Sequence, residues 1–178
     1  AGLPIPQSTL AEWVGQMGVA LQPLVDALKV EMLAYPVLHA DESPVAMLDP
    51  GAGKTHRAYL WSYSLGAFEP VKAVIYDFAD SRAGKHAREF LGDWRGTLVC
   101  DDYSGYKALI ADGVTEAGCM AHARRKFFDL HANNQSQIAQ QALTTIQSLC
   151  QVEREVADLE PDERRRIRQE QAKPILDE

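Results

Sequence analysis

Two acids pose the first question. Asp41 follows the apolar run Pro36–Leu38 in YPVLHADESPV, and Asp101 follows the apolar run TLVC at positions 97–100. A carboxylate beside a buried strand is costly unless water, a cation or a hydrogen-bond donor compensates it. If the two strands are neighbours and end at one sheet edge, the carboxylates stand together. Paired acids repel and raise each other's pKa unless a cation lies between them. Mg²⁺ takes hard oxygen ligands, commonly one or two carboxylates with waters and substrate phosphate. Such a site suits phosphodiester chemistry. The plainer alternative is structural: Asp41 caps a turn with Pro44, and Asp101 or Asp102 caps a helix starting near Ser104.

Other spacings carry less. PGAGKT, at positions 50–55, ends like a phosphate-binding loop, but the first glycine of that motif would fall at Leu48. The next residues, HRAYLWSYS, read as strand, so no helix N-terminus is there to cradle a phosphate. A hairpin turn is expected instead. Cys119 and His122 have CxxH spacing, yet a structural zinc site wants four ligands and no second pair is in range. They read as a buried cysteine and a histidine at a helix start. In HARRKFF, His122, Arg124, Arg125 and Lys126 stand beside Phe127 and Phe128. Basic side chains on a helix can contact phosphates, or they can form a solvated face above a phenylalanine core contact.

The elements that must position these groups are legible from periodicity. Residues 8–33 read as a packing helix, with Thr9 and Glu12 at capping-box spacing. Leu10, Trp13, Val14, Met17, Leu21, Leu24, Val25 and Leu28 recur on one face, and Pro23 is expected to kink this helix or start a second one. Strands are predicted over Val37–Asp41, 59–65 and 71–78, the second alternating Tyr59, Trp61 and Tyr63 with smaller residues. A helix capped by Asp80 or Ser81 runs to about Leu91, then come a strand over 97–100, a short helix from Ser104, a strand over 114–119 and a helix over about 121–131. Three consecutive strands predict an antiparallel meander, and the later alternation predicts parallel strands joined by helices. The expected fold is therefore α/β, a mixed sheet flanked by helices. Beyond it, Ile138, Ala142, Thr145, Leu149, Val152, Val156 and Leu159 step at heptad-like spacing, and a further helix is expected after Pro161.

The bulk numbers bound the rest. The chain has 178 residues, enough for one domain with a real core. Its net charge of −7 argues against a dedicated nucleic-acid binder, unless a local basic patch or a metal-bearing acidic site reverses the local sign. Cys100, Cys119 and Cys150 form no CxxC pair, which points to a reducing, cytoplasmic setting. No run is long and apolar enough to span a membrane, and no secretory pattern opens the chain. A chain that begins at Ala1 is expected to be a piece of something longer.

HADESPV, LDPGAGKTHRAYLWSY, VIYDFADSRAGKHAREFLGDWRGTLVCDDYSGY, GCMAHARRKFFD and RRRIRQEQAKPILDE, together with the opening LPIPQSTLAEWVGQ, resemble in order the catalytic region of transposases of the insertion sequence 66 family (TnpC-type). The resemblance covers nearly the whole chain. It implies an RNase H-like fold with a DDE active site. HADE places the first acid at Asp41, and DDYSGY places the second at Asp101, with Asp102 where the family usually has glycine. The third acid, a glutamate, is implied past the block RQEQAKPILDE, so neither Glu170 nor Glu178 fills its motif. Residues 1–34 then form a helical lead-in, 35–132 the first part of the catalytic core, and 133–178 the start of a helical insertion. The resemblance also implies two Mg²⁺ or Mn²⁺ ions on Asp41, Asp101 and the absent glutamate, and DNA as partner, both element ends and target. A homo-oligomer on DNA and accessory proteins of the same element are implied as well. His122, Arg124, Arg125 and Lys126 are the candidate phosphate contacts. The competing expectations are an RNase H-like nuclease without strand transfer, a non-catalytic remnant that binds DNA or a partner, and ATP hydrolysis through GAGKT.

Overall fold

A computed structural model describes residues 4–177, so Glu178 lies outside the described residues. These divide into two compact units, with the boundary in the chain between residues 117 and 118.

The first unit begins with α1 (Gln7–Leu33), then β1 (Val37–Leu48), β2 (Thr55–Leu65), β3 (Val74–Ala79), α2 (Lys85–Leu91) and β4 (Thr97–Cys100). A 3₁₀ turn (Ser104–Tyr106), α3 (Lys107–Ala111) and β5 (Thr115–Gly118) complete it. The sheet order is β3-β2-β1-β4-β5. β2 runs antiparallel to both β1 and β3, while β1 and β4 are parallel. The mixed sheet foreseen from the run of three strands is therefore present.

β1 alternates from Leu38 to Ser43. Leu38, Ala40 and Glu42 are buried, while His39, Asp41 and Ser43 are exposed. It does not end at Asp41, as the sequence predicted, but continues to Leu48 with β2 alongside throughout. Pro44 misled that expectation. β4 pairs only with Val37 to His39, so β1 has a single partner at Pro44, where a strand tolerates a missing N–H. The reading of Asp41 as a cap on a turn with Pro44 fails for the same reason. The GAGKT segment is the turn at its far end, and strand, not helix, comes after it.

Trp61, Tyr63 and Leu65 of β2 face the core with Leu38, Ile75 and Leu98. From α2, Phe90 stacks on Tyr63 with ring centroids 3.7 Å apart. Such a pair stabilises by about 0.5–1.5 kcal/mol beyond the area it buries. α2 starts at Lys85, later than the predicted Asp80 or Ser81 cap, and Ser81 Oγ lies 3.0 Å from His86 Nε2 instead. The freed residues form a loop that carries Arg82.

α1 is one helix with Pro23 inside it, and it starts after Pro6 without a side-chain cap, so the Thr9–Glu12 capping box is not formed. Of its predicted apolar face only Leu28 is partly covered and the rest is exposed; the helix is buried instead at Met32, with Leu33 partly covered. Lys29 lies over the Phe90 ring, 4.6 Å from its centroid.

The second unit holds α4 (Met120–Asn134), α5 (Gln137–Glu155), α6 (Pro161–Ile167), a π-helical turn (Arg168–Ala172) and α7 (Lys173–Asp177). Gln135, in the left-handed region at φ 49°, ends α4, and Ser136 caps α5 by accepting the Ala139 N–H at 3.3 Å. α5 buries Ala139, Ile146, Leu149 and Val152. Ile138, expected on that face, is 75% exposed. Phe128 is exposed as well, so no paired phenylalanine contact forms as expected.

Candidate functional site

The site grows from β1 and β4. Their parallel register sets Leu38 beside Leu98 and His39 beside Val99. Asp41 lies two residues past His39 and Asp101 two past Val99, the last pair in that register. Asp41 therefore lies in mid-strand and Asp101 directly after the end of the neighbouring strand, so only one of the two strands stops at its acid.

Each acid is held locally. Asp41 Oδ1 accepts the Glu42 N–H at 2.9 Å, and Ser62 Oγ donates to the Asp41 carbonyl at 3.2 Å. Asp101 Oδ1 accepts the Tyr103 N–H at 3.0 Å, and Asp101 Oδ2 lies 3.7 Å from Arg82 Nη2. Asp102 is directed elsewhere. Its Oδ1 lies 2.8 Å from Lys107 Nζ, which also donates to Glu116. Neither Asp101 nor Asp102 caps the 3₁₀ turn, whose N-cap residue is Tyr103.

Behind this pair sits a buried carboxylate. Glu42 is 7% exposed on the inner face of the sheet. Its Oε1 accepts from Arg82 Nε at 2.7 Å and also from Nη2, and its Oε2 accepts from the Tyr106 hydroxyl at 2.8 Å. Burial raises the Glu42 pKa, the Arg82 and Tyr106 hydrogen bonds oppose that shift, and the Asp101 charge adds to it. Burial likewise pushes the Tyr106 hydroxyl well up, reinforced by Glu42. Arg82 lies over the Tyr103 ring, 3.9 Å from its centroid, and the Tyr103 hydroxyl donates to the Arg82 carbonyl. Trp61 packs edge-on against Tyr106, with ring centroids 5.9 Å apart.

Two glycines let the loops meet. A Cβ on Gly84 would stand 2.2 Å from the Gly105 carbonyl oxygen. The Arg82 loop and the turn carrying Tyr106 thus touch backbone to backbone.

Glu42, Arg82, Tyr103 and Tyr106 were not foreseen from sequence as site residues. One signal was available: Glu42 shares the buried phase of β1 with Leu38 and Ala40, and a carboxylate there needs a donor. Which donor could not be read, because Arg82 lies 40 residues away.

Two carboxylates with water and phosphate oxygens suit a hard divalent cation. Asp41 and Asp101 supply that pair, but among the described residues no three of His, Cys, Asp and Glu converge on one metal position. That holds for Cys119 and His122 too.

The four basic candidates belong to α4, in the second unit. Arg124, Arg125 and Lys126 are exposed and His122 is half-buried. Helical geometry places His122, Arg125 and Lys126 on one side, and Arg124 about 200° around from His122. The helix therefore gathers three of the four.

A mixed five-stranded α/β sheet with an acid on β1 and another directly after its parallel neighbour defines the structural class. The comparisons give the family. A sequence profile described as "Transposase IS66 family" matches residues 1–178, and the chain belongs to that family. It is 35% identical over 188 residues to the uncharacterized protein y4qI of Sinorhizobium fredii strain NGR234, a match covering 98% of this chain and 35% of the relative. The uncharacterized protein y4hP of the same strain is 32% identical over 199 residues, covering 99% of this chain and 36% of that protein. The chain thus spans about a third of the length of these relatives.

Proposed function

We propose that this chain is the first part of the catalytic core of a DNA transposase, RNase H-like in fold, with Asp41 and Asp101 as two of its catalytic acids. One observation supports the reading: in a chain of this family, Asp41 and Asp101 each follow by two residues the last paired residues of the parallel strands β1 and β4. The strand order, with β2 antiparallel to its neighbours, supports the fold assignment.

Asp41 and Asp101 are the oxygen donors for Mg²⁺ or Mn²⁺, with a third acid to be supplied from beyond the described residues. Divalent ions bound there supply activation of the attacking oxygen and stabilisation of the leaving oxygen in phosphodiester displacement. The protein's own part is to hold the acids still. Pairing with β2 and the Glu42 N–H fix Asp41, and the Tyr103 N–H fixes Asp101. Strand cleavage frees a 3′-hydroxyl at the element's end. That hydroxyl attacks a target phosphodiester, so one P–O bond breaks as another forms and no protein–DNA bond is needed. His122, Arg125 and Lys126 are phosphate contacts. Element ends and target DNA are the partners, with a homo-oligomer and accessory proteins of the element, in the cytoplasm.

A second reading, a DNA-binding remnant without catalysis, draws on the two-carboxylate count among the described residues. Mn²⁺ titration separates the two. The wild-type chain is expected to bind Mn²⁺, and Asp41→Ala and Asp101→Ala are each expected to abolish binding. Variants that titrate like wild type would overturn the catalytic reading. Joining of a donor bearing a free 3′-end, or its absence, then distinguishes transposase from nuclease.

A further inference from the structure

We propose that Arg82 is the positioning residue for Asp101, tying it to the strand that carries Asp41; this rests on the acid-pair reading above. The reasoning begins at Glu42. A carboxylate buried on the inner face of the sheet needs a cation and donors, because an ion taken out of water costs several kcal/mol. Arg82 meets that need with two donors on Oε1, and Tyr106 takes Oε2. Arginine suits the task because its guanidinium is a planar fork with five donors, so one face of the fork can be committed while another remains.

Here the remaining direction is Asp101. Arg82 Nη2, already on Glu42, stands 3.7 Å from Asp101 Oδ2. That is longer than a hydrogen bond but well within the range of a charge contact. The other oxygen of Asp101 is taken by the Tyr103 N–H, and the Tyr103 ring in turn lies against the guanidinium. The Tyr103 hydroxyl also donates to the Arg82 carbonyl, so side chain and loop are held by one ring. Asp41, for its part, accepts the N–H of Glu42. The two acids are therefore joined by a continuous path, Asp41 to Glu42 to Arg82 to Asp101, each link a neighbour in the chain or a charge contact.

This path does what register alone cannot. β4 ends at Cys100, so Asp101 is beyond the last strand residue and owes its place to its loop. A group outside a candidate metal position that orients a ligand commonly changes metal affinity by about 10- to 100-fold when removed. A residue that only braces the fold lowers the melting temperature without doing so.

The test uses the whole chain with Arg82→Gln, Arg95→Gln and Asp101→Ala, and two readouts taken well below each melting midpoint. Arg95 is the control, since it pairs with Asp112 at 2.6 Å, away from the acids. The first readout is Mn²⁺ affinity. Arg82→Gln is expected to weaken it about tenfold or more, and Arg95→Gln to leave it unchanged. The second is metal-free: the exchange rate of the Tyr103 amide, whose acceptor is Asp101, with Asp101→Ala setting the rate of the released amide. Arg82→Gln is expected to bring the rate close to that value. A Tyr103 amide as protected in Arg82→Gln as in wild type overturns the proposal, and so does unchanged or tighter Mn²⁺ binding in a chain where Asp101→Ala abolishes it. If Mn²⁺ binding ignores Asp101→Ala, the acid-pair reading fails, and the amide still decides whether Arg82 holds Asp101.

Discussion

Asp41 and Glu42 are consecutive in the chain and stand on opposite faces of β1, one exposed and the other buried against Arg82 and Tyr106. The strand's two-residue repeat gives neighbouring carboxylates separate duties. Their removal should differ accordingly. Glu42→Ala leaves Arg82 and the buried Tyr106 hydroxyl without their acceptor, and is expected to cost about 2–4 kcal/mol of stability. Asp41→Ala is expected to stay within about 0.5 kcal/mol of wild type. Urea unfolding of the two variants checks this, and equal losses would mean the faces are misassigned.

The buried carboxylate also sets a pH dependence. The Glu42 pKa is raised, chiefly by burial, so the folded chain holds this proton more tightly than the unfolded one. Its contribution is then fully present below the ordinary carboxylate value and is lost as pH rises through the raised value. The stability difference, wild type minus Glu42→Gln, is expected to shrink as pH rises from the ordinary carboxylate range. Unfolding midpoints measured across that rise test it. A difference that grows with pH would show that Arg82 and Tyr106 outweigh burial.

Backbone contact between loops gives a third expectation. Gly84→Ala would put a Cβ against the Gly105 carbonyl, where only backbone movement relieves the overlap. A loss of about 2 kcal/mol is expected, in the range of core overpacking. Gly118→Ala, with open space around the new Cβ, is the control and is expected to be near neutral. Thermal unfolding of both would decide.

Helix geometry ranks the basic residues of α4. Arg125 shares a side with His122 and Lys126, and Arg124 does not. Arg125→Glu is therefore expected to weaken DNA binding more than Arg124→Glu, and to reduce the slope of log K against log salt by about one. Fluorescence anisotropy on a labelled duplex over a salt series measures both. Equal effects would mean that no single face of the helix meets the phosphates.

Much of this architecture was legible because it is written locally. The alternation of Tyr59, Trp61 and Tyr63 marks a half-buried strand, and the acids after VLHA and TLVC mark positions where strands meet solvent. The length of β1 was not legible, since Pro44 reads as a stop unless one knows that β4 leaves that stretch unpaired. Nor was the start of α2, because Ser81 turns to His86 instead of capping the helix. The Glu42–Arg82 pair escaped for a further reason: its two halves are brought together only by the sheet and the loop after β3.

The alternation along β1 also constrains how this segment can change length. Losing a single codon between Val37 and Ala40 would rotate every later side chain half a repeat. It would drive Asp41 toward Trp61 and turn Glu42 out of reach of its arginine. Losing two would restore the faces while shifting the strand against β4. Insertions and deletions ahead of the acid are thus filtered by parity, and only even-numbered ones keep each carboxylate on its own side of the sheet.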